Sequence, residues 1–251
     1  DRGFVIKQSE SWGKSRFWAP DIIVKAGVFY LYYSADTRVC VARSTNPSGP
    51  FKQIGHLPME PESIRIDAHV FRDDDGKMYF YYVTFDGGNE IWGAELSEDM
   101  VTLRPETRTR MIHADAPWER HRGNIVEGPV ILKHGGTYYL TYSGSHFESP
   151  HYAVGYATSE SPLGPWTKHE HNPVMKSTSY AHGAAHHDFA RSPDGREFFI
   201  VYHRHYSLEA TEQRAMAIDR VRFVRQDEGP EILEIHGPTA TPQPRPSGSP
   251  P

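Results

Sequence analysis

One acidic side chain stands inside an apolar segment of the sequence. Glu127 is the only charged residue in the run Ile125-Val126-Glu127-Gly128-Pro129-Val130-Ile131-Leu132. A run of this kind is typical of a short buried strand, and burial of an ionised carboxylate is costly unless the group is paired or neutralised. A buried carboxyl group that keeps its proton is suited to general acid catalysis. The alternative interpretation is a glutamate at a strand end, half exposed to solvent.

Three further segments combine apolar residues with polar groups that could do chemistry. They hold Asp21, Asp67 and the run His186-His187-Asp188. Two carboxyl groups on opposite sides of a sugar-sized cleft can act as acid and base on a glycosidic bond. Several acidic groups in one cavity also push their pKa values apart. The alternative is that these residues only line an interior surface and bind ordered water.

An internal repeat indicates which elements position these groups. Aromatic segments recur around Tyr30, Tyr79, Tyr139 and Phe199, at spacings of 49, 60 and 60 residues. Each follows a glycine turn and one of the polar segments, and a further strand candidate comes after it. A period of 50 to 60 residues with three or four short strands is typical of a β-propeller. We therefore predict an all-β propeller with four blades in this chain, whose first strands bring the polar groups to one cavity.

The composition of the chain limits its expected partners and its domain organisation. The chain has 251 residues and a net charge of −5, with scattered basic residues, which gives no reason to expect nucleic acid or membrane as a partner. Its one cysteine, Cys40, is predicted to be a core thiol. We expect one catalytic domain over 1–237, with 1–13 as the remnant of a first blade, and a Pro/Ser-rich tail or linker over 238–251.

Five segments stand out in order along the chain: Phe17-Trp18-Ala19-Pro20-Asp21, Ile66-Asp67-Ala68-His69-Val70-Phe71 followed by Asp73-Asp74-Asp75-Gly76-Lys77, Val126-Glu127-Gly128-Pro129, the stretch from Ala157 to Trp166, and Gly183-Ala184-Ala185-His186-His187-Asp188-Phe189. Together they resemble glycoside hydrolase family 43 over roughly residues 12 to 225. The resemblance implies a five-bladed propeller that hydrolyses arabinose- and xylose-containing glycans with inversion of configuration.

The resemblance also implies roles for individual residues. Glu127 matches the general acid, and Asp67 matches the carboxylate that orients the acid and tunes its pKa. His186 matches an axial histidine near a bound water or calcium ion, and Arg214 aligns with a substrate-binding arginine. The expected substrate contacts are Trp18, Phe17, His69, His186 and Arg214. For Trp18 a position in the core is the alternative.

One departure from the family matters. The family has five blades and this sequence repeats four times, and no residue matches the general base on the first blade; Asp21 is not that position. Three explanations stand: the chain was cut upstream, a neighbouring subunit contributes the missing edge or base, or the active site is incomplete. Open blade edges would favour a homodimer.

The expected activity is that of an arabinofuranosidase or β-xylosidase in xylan degradation, which acts on pentose-containing oligosaccharides or polysaccharides. The alternative is a non-catalytic carbohydrate-binding propeller that has lost its base. No cofactor is required, a structural Ca2+ is compatible with the resemblance, and secretion follows from the substrate class. Trp118 and Arg120, in the polar segment 115–123, are further candidates for substrate selection.

Overall fold

The structure is a computed structural model that describes residues 3–54, 59–60, 62–85, 87–211 and 213–250. Within these residues the named strands form four antiparallel sheets of four strands each. The helical segments of the described chain are short 3-10 turns at Gln8–Glu10, Pro105–Thr107 and Pro117–Arg120, and none is long and apolar enough to cross a membrane. The chain divides into two compact units, Asp1–Ile112 and His113–Pro251, which are described separately.

The first unit contains two blades. Blade 1 consists of β1 (Trp18–Lys25), β2 (Val28–Ala35), β3 (Arg38–Ser44) and β4 (Lys52–Gln53), and blade 2 of β5 (Ile66–Arg72), β6 (Met78–Phe85), β7 (Asn89–Leu96) and β8 (Thr109–His113). In both sheets consecutive strands are neighbours. Tyr32 and Val41 of blade 1 pack against Val70 and Phe80 of blade 2 in a buried core. The aromatic residues of the repeat therefore hold the two blades together.

The second unit has the same organisation. Blade 3 consists of β9 (Val126–His134), β10 (Thr137–Gly144), β11 (Ala153–Ser159) and β12 (Thr167–Lys168), and blade 4 of β13 (Ala185–Arg191), β14 (Phe198–His205), β15 (Arg214–Val224) and β16 (Ile232–Ile235). Tyr139 and Tyr156 of blade 3 join Ile200 and Tyr202 of blade 4 in one buried core. The aromatic segments of the repeat are the second strands β2, β6, β10 and β14, so the predicted all-β fold with four propeller blades is confirmed.

The hairpin predicted after Glu127 is present. Strands β9 and β10 pair from Thr137↔His134 onward and are joined by Gly135 and Gly136, whose φ angles are 57° and 84°. Two positive φ angles are what a tight hairpin turn with the right-handed twist of its strands requires. Local turn chemistry therefore sets the register that places Glu127 on β9.

A bulge interrupts the first strand of every blade, and it is not evident from the sequence. Pairing with the second strand shifts register once in each of β1, β5, β9 and β13. At each bulge one residue has a left-handed φ: Ala19 at 44°, Asp67 at 54°, Gly128 at 55° and His186 at 49°. One of the four residues is an alanine, whose side chain has no functional group. The left-handed conformation is therefore a feature of the repeated blade backbone and does not depend on a functional side chain. At Asp67 and His186 the same shape re-aims a polar side chain.

The two chain ends of the described structure lie against blades. Near the start, Val5 O accepts a hydrogen bond from Phe51 N at 2.7 Å, and Trp12 N donates to Gln53 Oε1 at 2.6 Å. Near the end, Thr239 Oγ1 donates to Asp219 Oδ1 at 2.6 Å. The Pro/Ser-rich segment has no described strand, but its hydrogen bonds fasten it to blade 4.

The single thiol, Cys40, is fully buried in the core of blade 1, as predicted. Burial raises its pKa to about 12, so the reactive thiolate is almost absent near neutral pH. We expect no reaction with Ellman's reagent at pH 8 in the native protein and one equivalent after unfolding in guanidinium chloride. Fast reaction without denaturant would contradict this packing.

Candidate active site

Glu127 lies on the first strand of blade 3, opposite Ser143 of β10, with 9% of its surface exposed. Its Oε1 accepts a hydrogen bond of 2.8 Å from the hydroxyl of Tyr152. Tyr152 is 0% exposed and immediately precedes β11. The carboxyl group is therefore buried, as the sequence predicted, and one of its oxygens has a fixed donor.

His186 joins the same group from blade 4. Its Nδ1 lies 3.1 Å from the Tyr152 hydroxyl, and its backbone N–H donates to Ser143 Oγ at 2.8 Å. Gly128, next to Glu127, leaves room for the imidazole, because a Cβ at this glycine would lie 3.3 Å from His186 Nδ1. The second unit thus brings together Glu127, Tyr152 and His186, two of which the sequence had selected.

His203 packs against Tyr152 and lies near His186. Its ring stacks on Tyr152 with 5.7 Å between centroids and lies 6.2 Å from the ring of His186. Burial, together with the nearby His186, Arg214 and His205, lowers the pKa of His203 to about 2. His203 is therefore neutral at physiological pH and adds no charge beside the glutamate.

The other members of the His186-His187-Asp188 run have different surroundings. His187 is 5% exposed, and its Nε2 lies 2.8 Å from Thr141 Oγ1, which ties blade 4 to blade 3. Asp188 is exposed and accepts a hydrogen bond from the N–H of Phe189 at 2.7 Å. His186 contacts the Glu127 group through the Tyr152 hydroxyl.

The first unit repeats this arrangement with different side chains. Asp67 is 4% exposed, and its backbone N–H donates to Ser34 Oγ at 3.2 Å, as that of His186 does to Ser143. Ser34 lies opposite Trp18 and Ser143 lies opposite Glu127. Asp67 therefore occupies in its unit the backbone position that His186 occupies in the other.

Asp21 connects the two blades of the first unit. Its Oδ2 accepts a hydrogen bond from Val70 N at 2.8 Å and lies 3.4 Å from His69 Nδ1. The side chain is 14% exposed. Asp21 Oδ2 therefore positions His69 and links β1 to β5, which is a structural role for this carboxylate.

The remaining candidate contacts lie at the surface of their units. Trp18 and Phe17 are 45% and 41% exposed, so the core alternative for Trp18 does not hold. Phe17 stacks on Tyr33 with 6.3 Å between centroids. Arg214, at the start of β15, places its guanidinium 5.0 Å from the ring centre of Phe147. These side chains offer flat apolar faces and a cation for a polar ligand.

A calcium ion requires six to eight oxygen ligands. The described residues contain no group of three or more His, Cys, Asp or Glu side chains placed to hold a metal. His186 offers nitrogen, and its Nδ1 faces Tyr152. The side chains around His186 therefore do not form a calcium ligand set, and no step below involves a metal.

Replacement of Gly128 by alanine tests the closeness of His186. The left-handed φ makes any side chain unfavourable there by about 1–2 kcal/mol, and the added Cβ also presses on the imidazole. Gly135 is a matched control in the same blade, with φ +57° and nothing within 4 Å of an added Cβ. We expect Gly128→Ala and Gly135→Ala to lose similar stability in chemical unfolding, whereas only Gly128→Ala also reduces sugar binding or turnover. Equal function in the two variants would show that His186 has room to move.

Sequence reasoning missed Tyr152, Ser143 and Ser34. A signal was available for the serines, since both follow a tyrosine at the same place in β2 and β10 (Tyr33-Ser34 and Tyr142-Ser143). Tyr152 lies in the connection between β10 and β11 and carries no local pattern.

Trp118 packs on the sheet of its own unit. The indole stacks on Tyr142 with 5.7 Å between centroids and covers Gly144 and Gly155, where a Cβ would come within 2.4 Å and 2.7 Å of it. Arg120 donates to the carbonyl of Ala114 at 3.1 Å. Trp118 therefore packs within its unit, whereas Arg120 is exposed, and a role in substrate selection stays a prediction for both.

The four-stranded blades define a β-propeller protein with a buried glutamate on the first strand of blade 3, and comparison with known sequences identifies its family. Residues 2–229 match the family described as Glycosyl hydrolases family 43. The chain belongs to this family.

Individual relatives agree with this assignment. A β-D-galactofuranosidase of Aspergillus niger is 31% identical over 217 residues, which cover 83% of this chain and 59% of that protein. A xylosidase/arabinosidase of Humicola insolens is 32% identical over 211 residues, covering 66% of this chain and 62% of that protein. The chain therefore spans about three fifths of the length of these relatives.

A solved structure described as a thermostable family-43 glycoside hydrolase has the same fold. It superposes with a TM-score of 0.90 at 35% identity and covers 98% of this chain and 84% of its own.

Proposed function

We propose that this chain carries the acid side of an inverting glycoside hydrolase that removes arabinose or xylose residues from hemicellulose-type oligosaccharides. The observation that carries the proposal is Glu127, a buried carboxyl group on the first strand of blade 3 with Oε1 held by Tyr152. Membership of the family supports it. A buried glutamate with one oxygen fixed is suited to deliver a proton from the other.

In the proposed reaction Glu127 gives its proton to the glycosidic oxygen as the bond to the anomeric carbon breaks and its electron pair passes to that oxygen. Asp67 is proposed for the role that the family resemblance implies, that of the carboxylate that orients the acid and tunes its pKa. A water molecule forms the new bond from the opposite face of the ring and gives its proton to a general base. That base is not among the residues assigned here.

Substrate recognition is proposed for Trp18, Phe17, His69, His186 and Arg214. The exposed ring of Trp18 supports stacking on a sugar face, and the Arg214 guanidinium suits hydroxyl oxygens. The name of the Humicola insolens relative supports a pentose. Secretion belongs to the proposal because plant polysaccharides lie outside the cell.

A second substrate class follows from the Aspergillus niger relative, which is named for galactofuranose. Arabinofuranose and galactofuranose share a five-membered ring and differ in the exocyclic part. A site that accepts arabinofuranose need only accommodate the longer, hydroxylated substituent to accept galactofuranose. An aryl β-D-galactofuranoside therefore belongs in the substrate panel.

The test is release of free pentose from xylo- and arabino-oligosaccharides by the purified chain, with binding of the same sugars measured by calorimetry. Turnover with inversion, followed by NMR of the anomeric proton, is the expected result. Binding without turnover would overturn the enzymatic proposal and support a carbohydrate-binding propeller. Neither binding nor turnover on any member of the panel would overturn both.

A further inference from the structure

We propose that Tyr152 is a positioning residue for the general acid, and that its hydroxyl fixes the acidic proton of Glu127 on Oε2. The inference rests on the proposed function, since it concerns how Glu127 works as an acid. It comes from a chain of hydrogen bonds in which Tyr152 stands between Glu127 and His186.

The donor and acceptor roles in this series of hydrogen bonds follow from the number of hydrogens that the Tyr152 hydroxyl can donate. A phenolic hydroxyl has one hydrogen to donate, and Tyr152 donates it to Glu127 Oε1. The hydroxyl oxygen of Tyr152 can then accept from His186 Nδ1, at 3.1 Å. The donors run from His186 through Tyr152 to Glu127. Because Oε1 is accepting, the proton of a neutral Glu127 belongs on Oε2.

The position of the Tyr152 hydroxyl is fixed from several sides. The ring is 0% exposed and stacks on neutral His203. His186 is held by its own backbone, whose N–H donates to Ser143. Ser143 in turn lies directly opposite Glu127 in the sheet. The acid and the two groups that orient it therefore share one rigid frame.

This arrangement favours the transition state over the bound substrate. When the proton passes from Oε2 to the leaving oxygen, Glu127 becomes a carboxylate, and the Tyr152 hydrogen bond becomes charge-assisted. Hydrogen bonds to ionised acceptors are roughly twice as strong as neutral ones. An interaction that strengthens only as the reaction proceeds lowers the barrier without tighter substrate binding.

The test is Tyr152→Phe, which keeps the packed ring and removes only the hydroxyl. On a natural oligosaccharide, whose leaving group needs the acid, we expect kcat to fall about 10- to 100-fold with KM changed less than about threefold. On an aryl glycoside with a strongly activated leaving group we expect kcat to change by less than about threefold, because departure there needs little proton transfer.

Tyr202→Phe is the matched control. Tyr202 is also a buried tyrosine of the second unit, and its hydroxyl donates to a carboxylate, Asp219 Oδ2, at 2.7 Å. We expect this variant to lose similar thermal stability and to keep its activity on both substrates. The control separates loss of a buried hydrogen bond from loss of the one at the acid.

Each outcome decides the matter. If Tyr152→Phe keeps full kcat on the oligosaccharide, or loses the same factor on both substrates, the positioning role is wrong while the proposed function stands. If the unmodified chain turns over no substrate, the proposed function and the role of Tyr152 fail together. If Tyr152→Phe does not fold, Tyr152→Met replaces it, since a flexible apolar side chain fills the space of the ring and has no hydroxyl to donate. Equal losses on the two substrates in that variant would equally overturn the inference.

Discussion

Glu127→Gln is expected to lower kcat on xylo- or arabino-oligosaccharides by about 10²- to 10⁴-fold, the usual contribution of a positioned general acid. The substitution is nearly isosteric, and the amide oxygen can still accept the Tyr152 hydrogen bond. Folding and sugar binding should therefore remain, and only the transferable proton is lost. Initial rates of pentose release and calorimetric binding measure the two quantities.

Two comparisons sharpen this result. Glu160→Gln changes an exposed glutamate of the same unit and is expected to have no effect on either quantity. An aryl glycoside with a good leaving group should be cleaved by Glu127→Gln at a rate much closer to that of the unmodified chain. A Glu127→Gln protein that releases pentose from the oligosaccharide within about threefold of the normal rate would exclude Glu127 as the acid.

Lys168→Met is expected to lower the free energy of unfolding by about 3–5 kcal/mol, because it leaves a buried carboxylate without its cation. The carboxylate is that of Glu119, which is 0% exposed; both of its oxygens lie 2.8 Å from Lys168 Nζ. Tyr142 also donates to Glu119 Oε1 at 2.7 Å, and the N–H groups of Asp115 and Ala116 donate to Oε2 at 2.8 and 2.9 Å. Urea unfolding followed by tryptophan fluorescence measures the loss.

A double variant and a second ion pair test the cause. Lys168→Met combined with Glu119→Gln should be more stable than Lys168→Met alone, since the unpaired charge is gone. Lys25 pairs in the other unit with Glu98, whose side chain is exposed to solvent, and Lys25→Met there should cost much less stability because the remaining carboxylate stays hydrated. Equal losses at the two lysines would contradict the assignment of a buried pair.

The buried pair of Glu119 and Lys168 is also connected to the strand that carries Glu127. Glu119 lies in the 3-10 turn Pro117–Arg120, and its carbonyl accepts a hydrogen bond from Ile125 N at 3.0 Å. Ile125 directly precedes the strand that carries Glu127. Loss of the pair is therefore expected to reduce activity as well as stability.

The elements that sequence predicted well are those set by local chemistry. The aromatic content of the second strands and the two glycines after His134 are local features. They were enough to predict the blades and to place Glu127 inside a hairpin. Cys40, flanked by apolar residues on β3, lies in the core for the same reason.

The interactions that sequence did not predict join residues far apart in the chain. Glu119 lies in a segment that looks like a polar loop, and its partner Lys168 is 49 residues away. Tyr152 meets Glu127 across 25 residues, through a connection without periodicity. Apolar periodicity reports which face of a strand is buried, and it contains no information on which distant polar groups pair inside.

The bulge that recurs in the first strand of each blade fixes where a side chain is placed, but it does not fix which side chain is placed there. Four blades present alanine, aspartate, glycine and histidine at the same left-handed position, and in one blade of each unit the backbone N–H there is bound by a serine of the preceding blade. The backbone, and not the side chain, maintains this shape. A new side chain can therefore be exchanged into such a position while the strand register stays unchanged, which gives the architecture a modular route to new substrate chemistry.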